Sequence, residues 1–213
     1  MNIHFKNIMP EPLKGVKHNS NSIWGADFEL TKGSKVMLNA TSGKGKTTFT
    51  HILSGIRKDY EGELLFDKQE LKQLTPNAWA KLRQQHIAVV YQDLQLFYDL
   101  SVAENLQLKN QLTQTFDEDH LKALTETLGI ADKWNTPCRL LSMGQQQRVA
   151  IIRALAQPFD WLIMDEPFSH LDADNTERCL SLINDRCNEL DAGFVLTSLG
   201  DPHGFNYDLT LNL

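Results

Sequence analysis

Between residues 3 and 39 the hydrophobic positions fall into short alternating runs: Ile3–Ile8, Ile23–Leu30 and Lys35–Asn39. They predict three strands, with a turn at Lys32-Gly33 before the third. The period then changes. Phe49, Ile52, Leu53 and Ile56 recur at helical spacing and predict a helix over 47–54 that stops at Gly55. Two more strand-like runs, around Glu63–Asp67 and His86–Tyr91, flank a short helix that Thr75 caps and Pro76 opens.

From about 93 to 145 the texture is helical, and an inserted helical lobe is predicted there. Ser101 and Glu104 form a capping box ahead of Leu106 and Leu108, and Leu121, Leu124 and Leu128 make one stripe ending at Gly129. A helix over about 143–156 then leads into Trp161–Asp165, a continuous apolar run of the kind a central parallel strand shows when both faces are covered. A helix over about 174–190, a strand at Phe194–Thr197 and a last strand from Tyr207 complete the chain. Strands alternating with helices place it in the α/β class, with a mainly parallel sheet and a small antiparallel β portion near the N-terminus. No internal repeat, low-complexity tract or linker divides the 213 residues, so one domain over 1–213 is expected.

Composition narrows the partners. A net charge of −6 means that nucleic acid would have to be held by a local patch against an unfavourable background, so no nucleic-acid partner is expected. No run approaches the ~18–20 apolar residues of a membrane span, and the first residues lack the apolar core of a signal peptide. A cytoplasmic location is therefore expected. Cys138, Cys179 and Cys187 are odd in number and lack metal-ligand spacing, which favours small buried hydrophobes.

The third strand runs directly into Ala40-Thr41-Ser42-Gly43-Lys44-Gly45-Lys46-Thr47-Thr48. A phosphate-binding loop needs inward backbone N–H groups, glycines where a Cβ would obstruct, a lysine for charge and a hydroxyl for Mg²⁺. These nine residues are the candidate triphosphate cradle, with Lys46 as the counter-charge and Thr47 as a Mg²⁺ ligand. The strict pattern has glycine at position 40; Ala40 cannot take a positive φ without cost, so the loop must start near-regular or slightly strained. Trp161–Asp165 ends in paired carboxylates, Asp165 placed for the Mg²⁺ shell and Glu166 to polarise an attacking water. Lys46 and Glu166 are the candidate catalytic residues.

The segment Leu141–Leu155, LSMGQQQRVAIIRAL, resembles the signature of the ABC-type ATPases, and the similarity extends over essentially the whole chain. The resemblance implies a P-loop NTPase with a RecA-like core that hydrolyses ATP with Mg²⁺. It implies that Gln92 is the Q-loop glutamine, touching Mg²⁺ and nucleotide, and that Ser169–Asp172 is the D-loop. It further implies a head-to-tail dimer, either a homodimer or a pairing with another ABC subunit. Each ATP would lie between the P-loop of one subunit and Ser142, Met143, Gly144 and Gln145 of the other. The residues agree with this, because Ser142 and Gln145 form a capping box that aims a helix N-terminus outward.

Besides Ala40, two positions depart from the family pattern. Met143 replaces the first glycine of the signature and puts a bulky side chain at the dimer interface. Ser198 stands where the family has a histidine that contacts the γ-phosphate; a serine can donate a hydrogen bond but is shorter and uncharged. His203, five residues on, is either a substitute or a solvated loop histidine, and His170 reads as an interface residue. No aromatic residue follows the first strand to stack the adenine, and Trp24 is the nearest, with packing as its other role.

The segment after Gln92, LQLFYDLSVAENLQL, is similar to the lineage that drives lipoprotein release and macrolide export. The resemblance implies a separate membrane-spanning subunit docking near Gln92–Leu106, with Phe97 and Tyr98 as anchors, and a peripheral place on the cytoplasmic face of the cell membrane. A second reading is a nucleotide-gated regulatory module with weak or no hydrolysis. A third, an ABC ATPase acting on DNA or translation, lacks the coiled-coil insertions or paired cassettes of those relatives.

Overall fold

The computed structural model describes residues 1–41 and 43–213. Its centre is an all-parallel sheet in the order β6 (Ile87–Val90), β7 (Trp161–Asp165), β8 (Gly193–Ser198), β3 (Lys35–Asn39) and β9 (Leu209–Asn212). Side chains alternate between the faces of a strand, and here both faces are apolar. Ala88, Val90, Leu162, Met164, Phe194 and Leu196 enter one core, whereas Ile87, Trp161, Ile163, Val195, Val36 and Leu38 enter the other. Every residue of β7 is buried, as its unbroken apolar run predicts.

The first core is closed by α5 (Met143–Leu155) and α6 (Ala173–Leu190) and extends to α3 (Val102–Asn110) and α4 (Glu118–Thr127). The second is closed by α1 (Lys46–Leu53), α2 (Pro76–Gln85) and an antiparallel sheet. That sheet runs β2 (Phe28–Leu30), β1 (Ile3–Pro10), β4 (Tyr60–Phe66) and β5 (Gln69–Glu70). It is pinned to α1 by aromatic stacking: Phe5 lies 4.2 Å from Phe28 and 5.6 Å from Phe49, ring to ring.

Helix starts follow the capping residues. Thr75 accepts from the Ala78 N–H, and Ser101 with Glu104 and Ser142 with Gln145 form complete capping boxes. Gly55 and Gly129 follow the ends of α1 and α4. Elsewhere the pattern misleads. The run Ile23–Leu30 is not one strand: Ser22 bridges to Asn212, the Ile23 N–H donates to the Asn212 carbonyl, and only Phe28–Leu30 joins β1. Gly25, at φ 81°, lets the chain turn from one sheet to the other. Ile56 and Leu108 share the periodicity of buried residues but are 53% and 43% exposed. Ile56 lies past the Gly55 turn, and Leu108 faces away from the Leu106 stripe.

Candidate functional site

Phosphate-binding loops lie at the carboxyl ends of parallel strands, and β3, β7 and β8 all end here. Ala40 is buried, does not take a positive φ, and donates its N–H to the Ser198 carbonyl at 3.2 Å. The loop therefore starts near-regular, without strain. Thr41 and Lys44 follow; Ser42 lies outside the described residues. Gly43 and Gly45 sit at φ 79° and 106°, a region that favours glycine. A Cβ on Gly45 would also lie 2.6 Å from Leu13 and 3.2 Å from the Trp24 ring. Trp24 is thus the floor of the loop. It is buried, donates from Nε1 to the Lys44 carbonyl at 3.2 Å and packs on Phe49, which is the packing role rather than an open stacking platform.

Lys46 opens α1 with its side chain buried, Nζ donating to the Ala40 carbonyl at 3.0 Å and lying 3.2 Å from Glu166 Oε1. The next residues, Thr47 and Thr48, are half-buried on the first turn of α1, and Thr47 Oγ1 donates to Gln92 Oε1 at 3.4 Å. Asp165, 1% exposed, accepts from Thr197 Oγ1 at 2.7 Å through Oδ1, while its Oδ2 is buried and has no hydrogen-bond partner among the described residues. A buried carboxylate oxygen left unpaired is costly. A hard cation such as Mg²⁺ prefers oxygen donors of the kind that Asp165, Thr47 and Gln92 carry. Glu166 follows at φ 49°, a left-handed backbone unusual for glutamate, held by its N–H to Thr197 Oγ1 at 3.2 Å.

Ser198 does not reach toward this cluster. Its hydroxyl donates to the Asp201 carbonyl at 2.8 Å and accepts the Asp201 N–H at 3.1 Å, closing a turn on itself. His203 lies 3.4 Å from Asp201 Oδ2 and edge-on to Phe168 at 5.2 Å. It does line a cavity of about 180 Å³ shared with Glu166, Thr197 and Ser198.

The signature residues contact other parts of the chain. Ser142 and Gln145 bond to one another, and Met143 is exposed. A Cβ on Gly144 would lie 2.7 Å from the His170 carbonyl. Gln147, buried beneath, donates to Ser169 Oγ at 2.8 Å and accepts the His170 N–H at 3.0 Å. Gly144 thus permits, and Gln147 enforces, close contact between α5 and the Ser169–Asp172 segment. Arg153, farther along α5, donates to the carbonyls of Leu94 and Gln95, each at 2.7 Å. Those two residues sit at φ 58° and 51°, just past Gln92. Gln147, Arg153 and Thr197 were missed by motif reading, because each acts through side chains meeting across long stretches of sequence.

A family model described as ABC transporter matches residues 23–169. The lipoprotein-releasing system ATP-binding protein LolD of Buchnera aphidicola subsp. Schizaphis graminum is 32% identical over 174 residues, 80% of this chain and 76% of the relative. The macrolide export ATP-binding/permease protein MacB of Syntrophobacter fumaroxidans is 32% identical over 183 residues, 84% of this chain but 26% of that longer protein. The methionine import ATP-binding protein MetN of Helicobacter acinonychis is 33% identical over 179 residues, 82% of this chain and 54% of the relative. Among solved structures, a dimeric bacterial ABC transporter cassette superposes with a TM-score of 0.80 at 25% identity, covering 99% of this chain and 94% of that one. The chain belongs to the ABC transporter family and is an ATP-binding cassette of the P-loop ATPase class. Among the described residues no helix is long and apolar enough to cross a membrane.

Proposed function

We propose that this chain is the ATP-hydrolysing subunit of a membrane transporter of the export or extrusion type, peripheral on the cytoplasmic face of the membrane. The observation that carries the catalytic part is that Lys46, Thr47, Gln92, Asp165 and Glu166 lie at or just past the carboxyl ends of β3, β6 and β7, with Lys46 Nζ 3.2 Å from Glu166 and Thr47 bonded to Gln92. Lys46 and the loop amides bind the phosphates, and Glu166 orients the attacking water and takes its proton. Thr47, Gln92 and Asp165 would hold Mg²⁺, which when bound offsets the charge of the β- and γ-phosphates. Ser142, Met143, Gly144 and Gln145 of a second cassette complete the site. The outward N-terminus of α5 and the dimeric form of the similar cassette support that pairing.

Extrusion is favoured over import by the likeness to the lipoprotein-releasing and macrolide-export proteins. The methionine-import relative is the counterweight, so direction rests on the membrane partner. That partner docks near Gln92–Leu106, where Phe97 and Tyr98 are exposed. Replacing both by Ala should release the chain from membranes while ATP binding persists; unchanged membrane association would overturn the docking assignment.

A second reading has its own observation. With the Ser198 hydroxyl engaged by Asp201, the chain resembles a nucleotide-gated module that closes on ATP and turns over slowly. Steady-state phosphate release decides. Turnover of ~1 s⁻¹ or more, abolished by Glu166→Gln, supports the transporter ATPase; turnover far below that, with ATP-dependent dimerisation intact, supports the gated module.

A further inference from the structure

The helical lobe meets the core at a cavity of about 140 Å³ between α4 and α6, with Leu155, the last residue of α5, in its wall. It lies at the opposite ends of α5 and α6 from Ser142–Gln145 and Ser169–Asp172, apart from the nucleotide site. Leu182, Asp185, Arg186 and Glu189 follow one another at helical spacing and present one face of α6 to it. Arg186 is only 7% exposed, with its guanidinium 4.6 Å from the centre of the Phe116 ring. Its Nη1 donates to the exposed Glu189 at 2.7 Å, while Nε is buried and has no hydrogen-bond partner among the described residues. A buried donor left unpaired is costly, and Nε belongs to the edge through which a guanidinium takes a carboxylate two-fold. Asp185 is exposed at the mouth, and its carboxylate has no ion pair or hydrogen bond among the described residues. The remaining wall is aliphatic, from Leu124, Leu155 and Leu182. Phe116 is fixed in advance, because Asn110 accepts its N–H at 2.9 Å and donates to its carbonyl at 2.8 Å.

A buried cation, a free carboxylate at the mouth and aliphatic walls match the three parts of one small molecule. We propose that this cavity binds an α-amino acid whose apolar side chain is about the size of leucine's. Its carboxylate pairs with the Nε edge of Arg186, leaving Glu189 on Nη1, its ammonium pairs with Asp185, and its side chain packs among the leucines. The volume fits, since a cavity of about 150 Å³ holds a benzene-sized molecule. A simple anion would be opposed by Asp185 and Glu189 and a simple amine by Arg186, whereas a zwitterion meets both signs. Once bound, it ties α4 to α5 and α6 and stabilises the fold by mass action.

Titration of the purified full chain with L-leucine, followed by calorimetry and by thermal midpoint, tests this. L-Leucine should bind in the micromolar to millimolar range open to a ligand of about nine heavy atoms. At about ten times its Kd it should raise the midpoint by roughly 3–6 °C. Isocaproate, which lacks the ammonium, and isoamylamine, which lacks the carboxylate, should each bind about tenfold more weakly or worse, the scale of a lost charge pair. Asp185→Asn should weaken L-leucine by about tenfold and leave isocaproate unchanged, while the ligand-free variant keeps the parent's midpoint and ATP affinity. Arg186→Gln should abolish binding. Because that change also removes the contacts to Phe116 and Glu189, Leu182→Phe serves as a second variant, filling the cavity with the charges intact, and should abolish binding with the fold retained. No binding of L-leucine at ~10 mM, binding of isocaproate equal to that of L-leucine, or undiminished binding by Asp185→Asn or Leu182→Phe overturns the site.

Discussion

The ammonium of Lys46 and the carboxylate of Glu166 stand 3.2 Å apart, Nζ to Oε1, at the centre of the site. Incoming phosphates must therefore compete with Glu166 for Lys46, and the ionised glutamate opposes their charge. Glu166→Gln removes both the competitor and the proposed base. Phosphate release should fall by ~10²-fold or more, while ATP affinity by calorimetry should hold or rise. Turnover within a few-fold of the parent would remove Glu166 from the catalytic role.

Lys46→Ala should act differently. With its Nζ shared between the Ala40 carbonyl and Glu166, Lys46 is the charged donor positioned for a triphosphate. Its loss should abolish ATP binding as well as turnover. Micromolar binding retained by Lys46→Ala would refute the phosphate assignment of the loop.

Ser198→Ala should affect stability more than catalysis. The hydroxyl makes both of its bonds to Asp201, and losing them should cost about 1–2 kcal/mol. For a chain of this size that is a fall in thermal midpoint of roughly 2–8 °C. Turnover should change by less than about threefold, because at this position the hydroxyl faces its own turn. A tenfold loss of turnover without loss of stability would mean that Ser198 reaches the phosphate after all.

Gly144→Ala and Gln147→Leu probe the join between α5 and the Ser169–Asp172 segment. The added methyl would meet the His170 carbonyl at 2.7 Å, and the leucine would leave Ser169 Oγ and the His170 N–H without their partner. Both variants should fold with a lowered thermal midpoint and lose ATP-dependent dimerisation, measured by light scattering. Binding of ATP to the separate subunit should be nearly unchanged, since neither residue lies at the P-loop.

The three thiols should be silent. Burial pushes Cys138 up to about 11 and Cys179 and Cys187 each up to about 12, so none is a thiolate at neutral pH. Because these folded values lie above that of a free thiol, the neutral form is favoured in the fold. The folded state therefore loses ground as pH rises past the free-thiol value of about 8.5 toward 11–12. At pH 8 a disulfide-exchange reagent should label none of them in the native chain and all three in denaturant.

Much of this was legible in the residues because it is local. Capping by Thr75, Ser101 and Ser142, the unbroken apolar run of β7 and the helical spacing of Phe49, Ile52 and Leu53 each depend on neighbours a few positions away. The glycine-rich loop and the paired carboxylates fall together because both sit at strand ends of one parallel sheet. What the pattern could not reveal depends on partners remote in sequence. Ile23 leaves its expected strand for Asn212, Thr197 meets Asp165 across the β7–β8 register, and Arg153 reaches back to Leu94. The inward turn of Ser198 was equally hidden, since a serine after a strand is compatible with either direction.

Trp24 lies directly under the loop, its indole nitrogen bonded to the Lys44 carbonyl and its ring against Gly45 and Phe49. An indole so placed is a built-in optical gauge. Any ligand that draws in the backbone of residues 43–46 must change the hydrogen bond and electric field felt by that ring. Nucleotide arrival at the loop should thus shift the emission of Trp24 in the unlabelled chain, over the background of Trp79, Trp134 and Trp161.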